Sequence, residues 1–398
     1  VVVALGVGLD LLDGLARGVG QDLVELAASL LDLLGHDLDL GLLALFHIAE
    51  ECSAGLEFAV AYHQCVTKAR FSRILHLRLE RASDYVGFGA DTLLAQLLCE
   101  KTGMKKVFFG NSGAEANECA IKAARKWSED KKGKEYSTII TLKNSFHGRT
   151  ITTLAATGQD VFHHDFLPLT EGFVYAEPND LADLARLIAE NKCAAVMMEV
   201  VQGEGGVMPL DEAYVKGAAK LCQENDLLLI CDEVQIGNGR SGMLYGYMAY
   251  GVQPDIVSTA KGLAGGLPLG ATLLGEKVQN VLSAGTHGST FGGNPVCCAG
   301  AINVLERLDE ALLQGVQARS AYIRQELAGA KGVIGVSGLG LMLGIQTEKN
   351  AADIIAACRE KGVLVIKAKD KLRLLPALNI PMDQLAKAVA VIKECCAG

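Results

Sequence analysis

The spacing of apolar and polar positions changes character along this chain. From about Asp91 onward, short apolar runs alternate with helical stretches. The runs at Val107–Phe109, Thr138–Leu142, Ala194–Val200, Leu227–Val234, Asp255–Thr259 and Ala271–Leu274 predict strands. Between them, Ala114–Trp127, Asp180–Glu190 and Asp211–Asn225 predict helices. That alternation implies an α/β fold with a mostly parallel central sheet flanked by helices. In such sheets the functional groups gather outside the carboxyl ends of the strands. After Pro295 a long helical stretch opens a smaller α+β unit. The first 85 residues differ. Leu9 to Leu45 is crowded with Leu, Asp, Gly and Ala, with Leu23, Leu26, Leu30 and Leu33–Leu34 at helical spacing, and the first lysine is Lys68. This segment holds no chemical motif and reads as Leu-rich helical packing.

Charge and cysteine content narrow the function. A formal net charge of −9 over 398 residues argues against nucleic acid or an anionic membrane as a partner, because both reward clustered Lys and Arg. No apolar run approaches the ~18 residues of a membrane span, and no basic segment precedes the first apolar stretch as in a secretory leader. The 12 cysteines form no C-x-x-C pair, and Cys297-Cys298 and Cys395-Cys396 are adjacent. Thiolate metal sites need a spacer between ligands. The expectation is a cytoplasmic protein with reduced thiols and no metal.

The candidate chemistry lies in the middle of the chain. Asn111-Ser112-Gly113-Ala114-Glu115 follows a strand and opens a helix. Ser112 and Glu115 have capping-box spacing, Gly113 allows close backbone approach, and free N–H groups there suit a phosphate. An ordinary capped helix is the plainer alternative. The apolar run before Asp232 ends in two carboxylates, where Asp232 is suited either to a cationic ring nitrogen or to a structural salt bridge. Lys261 ends another strand before a Gly-rich loop. It reads as a desolvated amine nucleophile forming a Schiff base, or as a snorkelling surface lysine. In Ser145-Phe146-His147-Gly148-Arg149-Thr150, Phe146 or His147 is placed to stack on a flat ring and Arg149 to clamp a carboxylate. Thr286 to Pro295 is a Gly-rich loop with hydroxyls suited to phosphate contact.

Together these pieces supply what pyridoxal 5'-phosphate requires: a phosphate cradle, a ring stack, a ring-nitrogen carboxylate and a Schiff-base lysine. From about Thr92 onward, some three quarters of the chain, the order NSGAEANE (from Asn111), SFHGRT (Ser145), QGEGGV (Gln202), DEVQ (Asp232), Gly239-Arg240, Lys261 and GTHGSTFGGNP (Gly285) resembles the class III aminotransferases of fold type I. The resemblance implies a large cofactor-binding domain at 91–294, with a smaller α+β domain built from 1–90 and 295–398. It implies Lys261 as the Schiff-base lysine and proton carrier, with Asp232 on the pyridine nitrogen. Ser112, Gly113 and Ala114 fall on the phosphate, Phe146 with neighbouring His147 on the ring, and Val234 and Gln235 at its flanks. Ser289 and Thr290 would reach in from a second subunit of a homodimer. Arg149 would hold the substrate carboxylate. Glu204 and Arg373 match a pair in which the glutamate hides the arginine until 2-oxoglutarate arrives. The FHGRT and GTHGSTFGGNP stretches lean toward N-acetylornithine as amino donor, a step of arginine biosynthesis. 4-Aminobutyrate, ornithine and succinylornithine are the competing donors.

Residues 1–85 depart from the family pattern, keeping only traces such as Leu34-Gly35-His36 and Leu75-His76, so no site residue is placed there. That departure leaves a non-catalytic scaffold as one alternative. A nicotinamide enzyme is another, because Gly237 to Gly242 spells a literal G-x-G-x-x-G. Two carboxylates between strand and glycines would repel a pyrophosphate, which argues against it.

Overall fold

The computed structural model describes residues 89–398. The Leu-rich helical segment expected near the N-terminus lies outside the described residues, as does nearly all of the 1–90 portion of the expected domain division. The first helix, α1 (Ala90–Thr102), ends where Gly103 takes a left-handed conformation and its N–H caps the Cys99 carbonyl. Strand β1 (Lys106–Gly110) then leads through Asn111 and Ser112 into α2 (Gly113–Lys132). The buried stripe of α2 is Ala116, Ala120, Ala123 and Ala124 with Ile121 and Trp127. Small residues let the helix lie close to the sheet, where its core includes Ile139, Met197, Leu228, Ile230 and Ile256. Each large apolar side chain fully buried there contributes about 1.5–3 kcal/mol.

The sheet continues through β2 (Thr138–Leu142), β3 (Phe173–Ala176), β4 (Cys193–Met198), β7 (Leu228–Asp232), β8 (Ile256–Thr259) and β9 (Gly270–Leu274). Between β4 and β7 the short pair β5 (Val201–Gln202) and β6 (Met208–Pro209) forms its own two-stranded ribbon. The strand order is β1-β9-β8-β7-β4-β2-β3. β9 alone runs antiparallel, to both β1 and β8, and the other pairings are parallel. The mostly parallel α/β fold is therefore as the alternation implies. β4 and β7 are buried along their whole length, which is why they read as unbroken apolar runs. Differences from the sequence reading are local. The run expected at Ala194–Val200 stops at Met198, before the ribbon, and Leu227–Val234 stops at Asp232. β3, a half-buried edge strand of four residues, gives too short a pattern to be read.

Two helices on the sheet follow the expected places, α4 (Leu181–Glu190) and α5 (Glu212–Glu224), with the short α3 (Ile151–Ala156) before them. Beyond the sheet, Asn294 caps α6 (Pro295–Arg307), accepting from the Val296 and Cys297 N–H groups. α6 packs on α1 and on the 3-10 turn Lys261–Ala264. A second core follows. The antiparallel sheet β10-β11-β13-β12 (Val333–Leu339, Met342–Thr347, Lys371–Leu374 and Ile366–Ala368) is covered by α7 (Glu310–Leu327), α8 (Ala351–Glu360) and α9 (Met382–Ala397). Ile323, Leu343, Ile345, Ile354, Leu372, Val389 and Ile392 fill it.

The turn Gly237–Gly242 joins this second core to the first. The Arg240 guanidinium donates to the carbonyls of Leu341 and Pro376, and the Leu341 N–H donates back to the Arg240 carbonyl at 2.9 Å. A Cβ on Gly239 would stand 2.6 Å from Leu308, and one on Gly242 2.1 Å from Gln317. These glycines are packed against protein, so they do not cradle a pyrophosphate, and the nicotinamide reading fails on geometry. No helix among the described residues is long and apolar enough to cross a membrane.

Candidate active site

Most of the predicted residues converge where β1, β2, β4, β7 and β8 end. Ser112 caps α2, and its Oγ accepts from the Glu115 N–H at 3.2 Å. Glu115 reaches back to the Asn111 N–H at 2.5 Å, so the expected capping box is present with its return bond shifted by one residue. The first-turn N–H groups of Gly113 and Ala114 have no intrahelical acceptor by the geometry of any helix start, and the helix dipole adds positive potential there. Three close approaches shape this cradle. A Cβ on Gly113 would stand 2.6 Å from Val234 Cγ1. One on Gly270 would stand 2.2 Å from the Ser112 carbonyl oxygen, and one on Gly148 3.0 Å from the Ala114 Cβ. Glycine at these positions brings the strand ends at Gly270 and Val234, and the turn at Gly148, against the start of α2.

Asp232 is the last residue of β7 and is 3% exposed. Its Oδ2 accepts from Asn117 Nδ2 and pairs with His147 Nδ1, both at 2.8 Å, and its Oδ1 accepts from the Val234 N–H at 3.0 Å. Asn117 Nδ2 also donates to the His147 carbonyl at 2.7 Å, and the His147 N–H donates to Thr157 Oγ1 at 2.9 Å. The carboxylate is thus fixed from one side, and its remaining lone-pair capacity suits one further cationic donor. His147 is buried and engaged by Asp232, so the structure places it as a support and not as a stacking ring. Phe146 is the aromatic face that remains. Phe162 meets it edge-on at 5.9 Å, and the Arg149 guanidinium lies over both rings, 5.7 Å from Phe146 and 4.9 Å from Phe162. Arg149 makes no ion pair among the described residues.

Two residues that sequence reasoning missed complete this floor, Glu199 and Asn117. Glu199 follows β4 and is buried, accepting from the Phe146 N–H at 3.0 Å. Burial, then the neighbouring Asp232 charge, push its carboxyl well above the usual range. The signal is in the sequence: an all-apolar run ending in glutamate, as at Asp232. Asn117 is legible only as a polar residue on the buried Ala stripe of α2. Glu233, fully buried, accepts from the Gly246 and Tyr247 N–H groups at 2.6 and 2.8 Å, which hold the 3-10 turn Gly246–Tyr250. Burial raises its carboxyl to about 7 despite those two bonds. An acid with a raised folded pKa stabilises most below its unfolded value and loses that contribution as pH rises toward 7, here of order 3 kcal/mol. Thermal unfolding compared at pH 5 and pH 7.5 is expected to show a flatter dependence for Glu233→Gln than for the wild type.

Lys261 sits in a strained turn. Its φ is +44°, and Ala260 before it has φ −165° and ψ −137°. A non-glycine residue at positive φ costs of order 1–3 kcal/mol and is held by its surroundings. The Lys261 side chain is exposed to solvent, yet protein packed around its amine partly desolvates it and lowers its pKa below the ordinary lysine range, while the charges of Asp232, Glu199 and Glu204 oppose the shift. This is the environment of a nucleophilic amine.

At the edge of the site, Arg373 on β13 bonds Glu204 Oε1 at 2.8 Å and approaches Gln235 Oε1 at 3.5 Å. The arginine is 8% exposed and its Nε has no partner among the described residues. Ser289 and Thr290 lie on the loop before α6. Asn111 Nδ2 donates to Ser289 Oγ of the same chain at 3.2 Å, and Thr290 is exposed.

A capped helix start, a buried and braced carboxylate, an aromatic face and a lysine of lowered pKa at the strand ends of this sheet are the groups that a pyridoxal-phosphate enzyme of fold type I needs. The family model "Aminotransferase class-III" matches residues 87–396. The chain is 52% identical over 303 residues to an acetylornithine aminotransferase of Haemophilus ducreyi, covering 76% of this chain and 77% of the relative. It is 45% identical over 303 residues to a succinylornithine transaminase of Salmonella enteritidis, covering 74% of each. Among solved structures, the ornithine aminotransferase of Toxoplasma gondii matches with a TM-score of 0.75 at 32% identity, over 78% of this chain and 77% of that one. The N-acetylornithine aminotransferase of Stenotrophomonas maltophilia matches with a TM-score of 0.68 at 35% identity, over 78% and 80%. The chain belongs to the class III aminotransferases, enzymes that transfer an amino group from a donor to a keto acid through pyridoxal 5'-phosphate.

Proposed function

We propose that this transaminase moves the terminal amino group of N-acetylornithine to 2-oxoglutarate, giving N-acetylglutamate semialdehyde and glutamate. The observation that carries the donor assignment is the 52% identity to an acetylornithine aminotransferase over three quarters of both chains. Pyridoxal phosphate, when bound, supplies an electron sink for the bonds at the substrate carbon. This chain's residues supply the rest. Asp232 holds a proton on the ring nitrogen, with Asn117 and His147 fixing its carboxylate. Ser112, Gly113 and Ala114 hold the phosphate. Phe146 would cover one face of the ring, with Val234 and Gln235 at its flanks. Lys261 would hold the cofactor through its amine and serve as the base that takes and returns the substrate proton, a task its lowered pKa suits because a free amine is the base.

Arg149 takes a substrate carboxylate in this reading. Glu204 neutralises Arg373 while the monocarboxylate donor is bound and yields it to the second carboxylate of 2-oxoglutarate. We read the active form as a cytoplasmic homodimer in which Ser289 and Thr290 reach the phosphate of the second copy. The division into 91–294, binding the cofactor, and 295–398, forming a smaller domain, belongs to the same reading.

Donor kinetics test the assignment. kcat/KM for N-acetylornithine is expected to exceed that for ornithine and 4-aminobutyrate by at least about tenfold, as pocket discrimination typically gives. Equal or better use of succinylornithine would move the chain to the branch of its Salmonella relative. A preference for 4-aminobutyrate would overturn the assignment.

A further inference from the structure

The Gly-rich turn at 237–242, left without a role once the nicotinamide reading fails, carries a residue bonded to the two positions before the lysine. Asn238 has φ +55° and is 6% exposed. Its Nδ2 donates to Thr259 Oγ1 at 2.9 Å and to the Ala260 carbonyl at 3.0 Å. These acceptors belong to the two residues immediately before Lys261. A carbonyl accepts only, so the amide NH2 must face it, and the orientation of Asn238 is set by chemistry. Its Oδ1 is buried with no partner among the described residues. The side chain is therefore held for its donors. Two features are unusual here: the positive φ of Lys261 and a side-chain partner for the Ala260 carbonyl. A peptide in so unfavourable a conformation persists only if something outside the turn fixes it. Asn238 does so with two bonds from one NH2 group.

We infer that Asn238 is a positioning residue for Lys261: its amide holds the Ala260 peptide so that the lysine amine stays aimed over the Asp232 side of the site. The inference rests on Lys261 being the reactive lysine. Glycine and aspartate both tolerate positive φ, so Asn238→Gly and Asn238→Asp remove the NH2 donors without forcing the backbone. Misplacing a reacting group by about 1 Å costs roughly 10²-fold in rate. A loosened turn is expected to cost about tenfold or more.

The test uses full-length protein reconstituted with pyridoxal phosphate, and follows the visible absorbance band and the single-turnover rate with N-acetylornithine. Both variants are expected to bind the cofactor but to form the band at least about tenfold more slowly. Their kcat should fall by a similar factor, with KM for the donor within about twofold, and the fall should persist when rates are expressed per folded protein at a temperature well below each variant's thermal midpoint. A role confined to stability would move the midpoint and leave the rate of band formation unchanged. Wild-type rates in both variants would overturn the inference. So would a fall in rate that simply tracks a loss of folded protein in both. Lys261→Ala is run beside them. If that variant keeps the band and the rate, the reading of Lys261 itself fails and the inference about Asn238 falls with it. If Lys261→Ala is inactive while both Asn238 variants match wild type, only the positioning role is lost.

Discussion

Lys261→Ala is expected to lower the single-turnover rate with N-acetylornithine by at least about a thousandfold, combining loss of the nucleophile with loss of a general base. The fold is expected to survive. The Lys261 side chain is exposed, so its removal takes little packing from the core. The left-handed conformation is no worse for alanine than for lysine, and the bonds that hold the turn come from Asn238, not from the lysine side chain. A thermal midpoint within a few degrees of wild type should therefore accompany the loss of activity. A variant that turned over at the wild-type rate would remove Lys261 from the chemistry.

Asp232→Asn is expected to cost about a hundred- to a thousandfold in kcat, as deletion of one preorganised electrostatic contact usually does. The substitution is nearly isosteric, which makes the result readable. The amide oxygen of the variant can take the place of Oδ2 and still accept from Asn117 and His147. Its NH2 group then occupies the Oδ1 position and faces the Val234 N–H, donor against donor, 3.0 Å away in the wild type. The charge that favours a protonated ring nitrogen is gone as well. kcat measured at saturating donor, with cofactor occupancy followed by absorbance, separates the chemical effect from weakened binding. A fall confined to occupancy, with kcat restored by excess cofactor, would make Asp232 a binding residue only.

How much of this is legible in the sequence follows from the physics of each element. β4 and β7 are read easily because strands buried on both faces are apolar without interruption. Asp232 stands out for the same reason, as a charge placed where charges are expensive. Glu199 carries an equal signal but is a single acid, less conspicuous than the Asp232-Glu233 pair. β3 is short and half-buried, and in the sheet around Arg373 β12 has only three residues while β11 and β13 meet through a long-range pairing, so neither place shows a local period. The role of His147 depends on which atom its ring faces, and that is fixed by β2 lying beside β4, next to β7. Asn238 is hidden for a different reason. It sits in a glycine motif that suggests a nucleotide, and its partners lie 21 and 22 residues further along the chain.

The central claim is that these strand ends assemble one working pyridoxal-phosphate site. An absorbance titration of the purified full-length protein with pyridoxal phosphate, ended by adding N-acetylornithine, tests it most directly. The account predicts a visible band that grows to one cofactor per chain and is bleached by the donor, then restored by 2-oxoglutarate. Failure of the band to form, or a band that no amino donor alters, would contradict it.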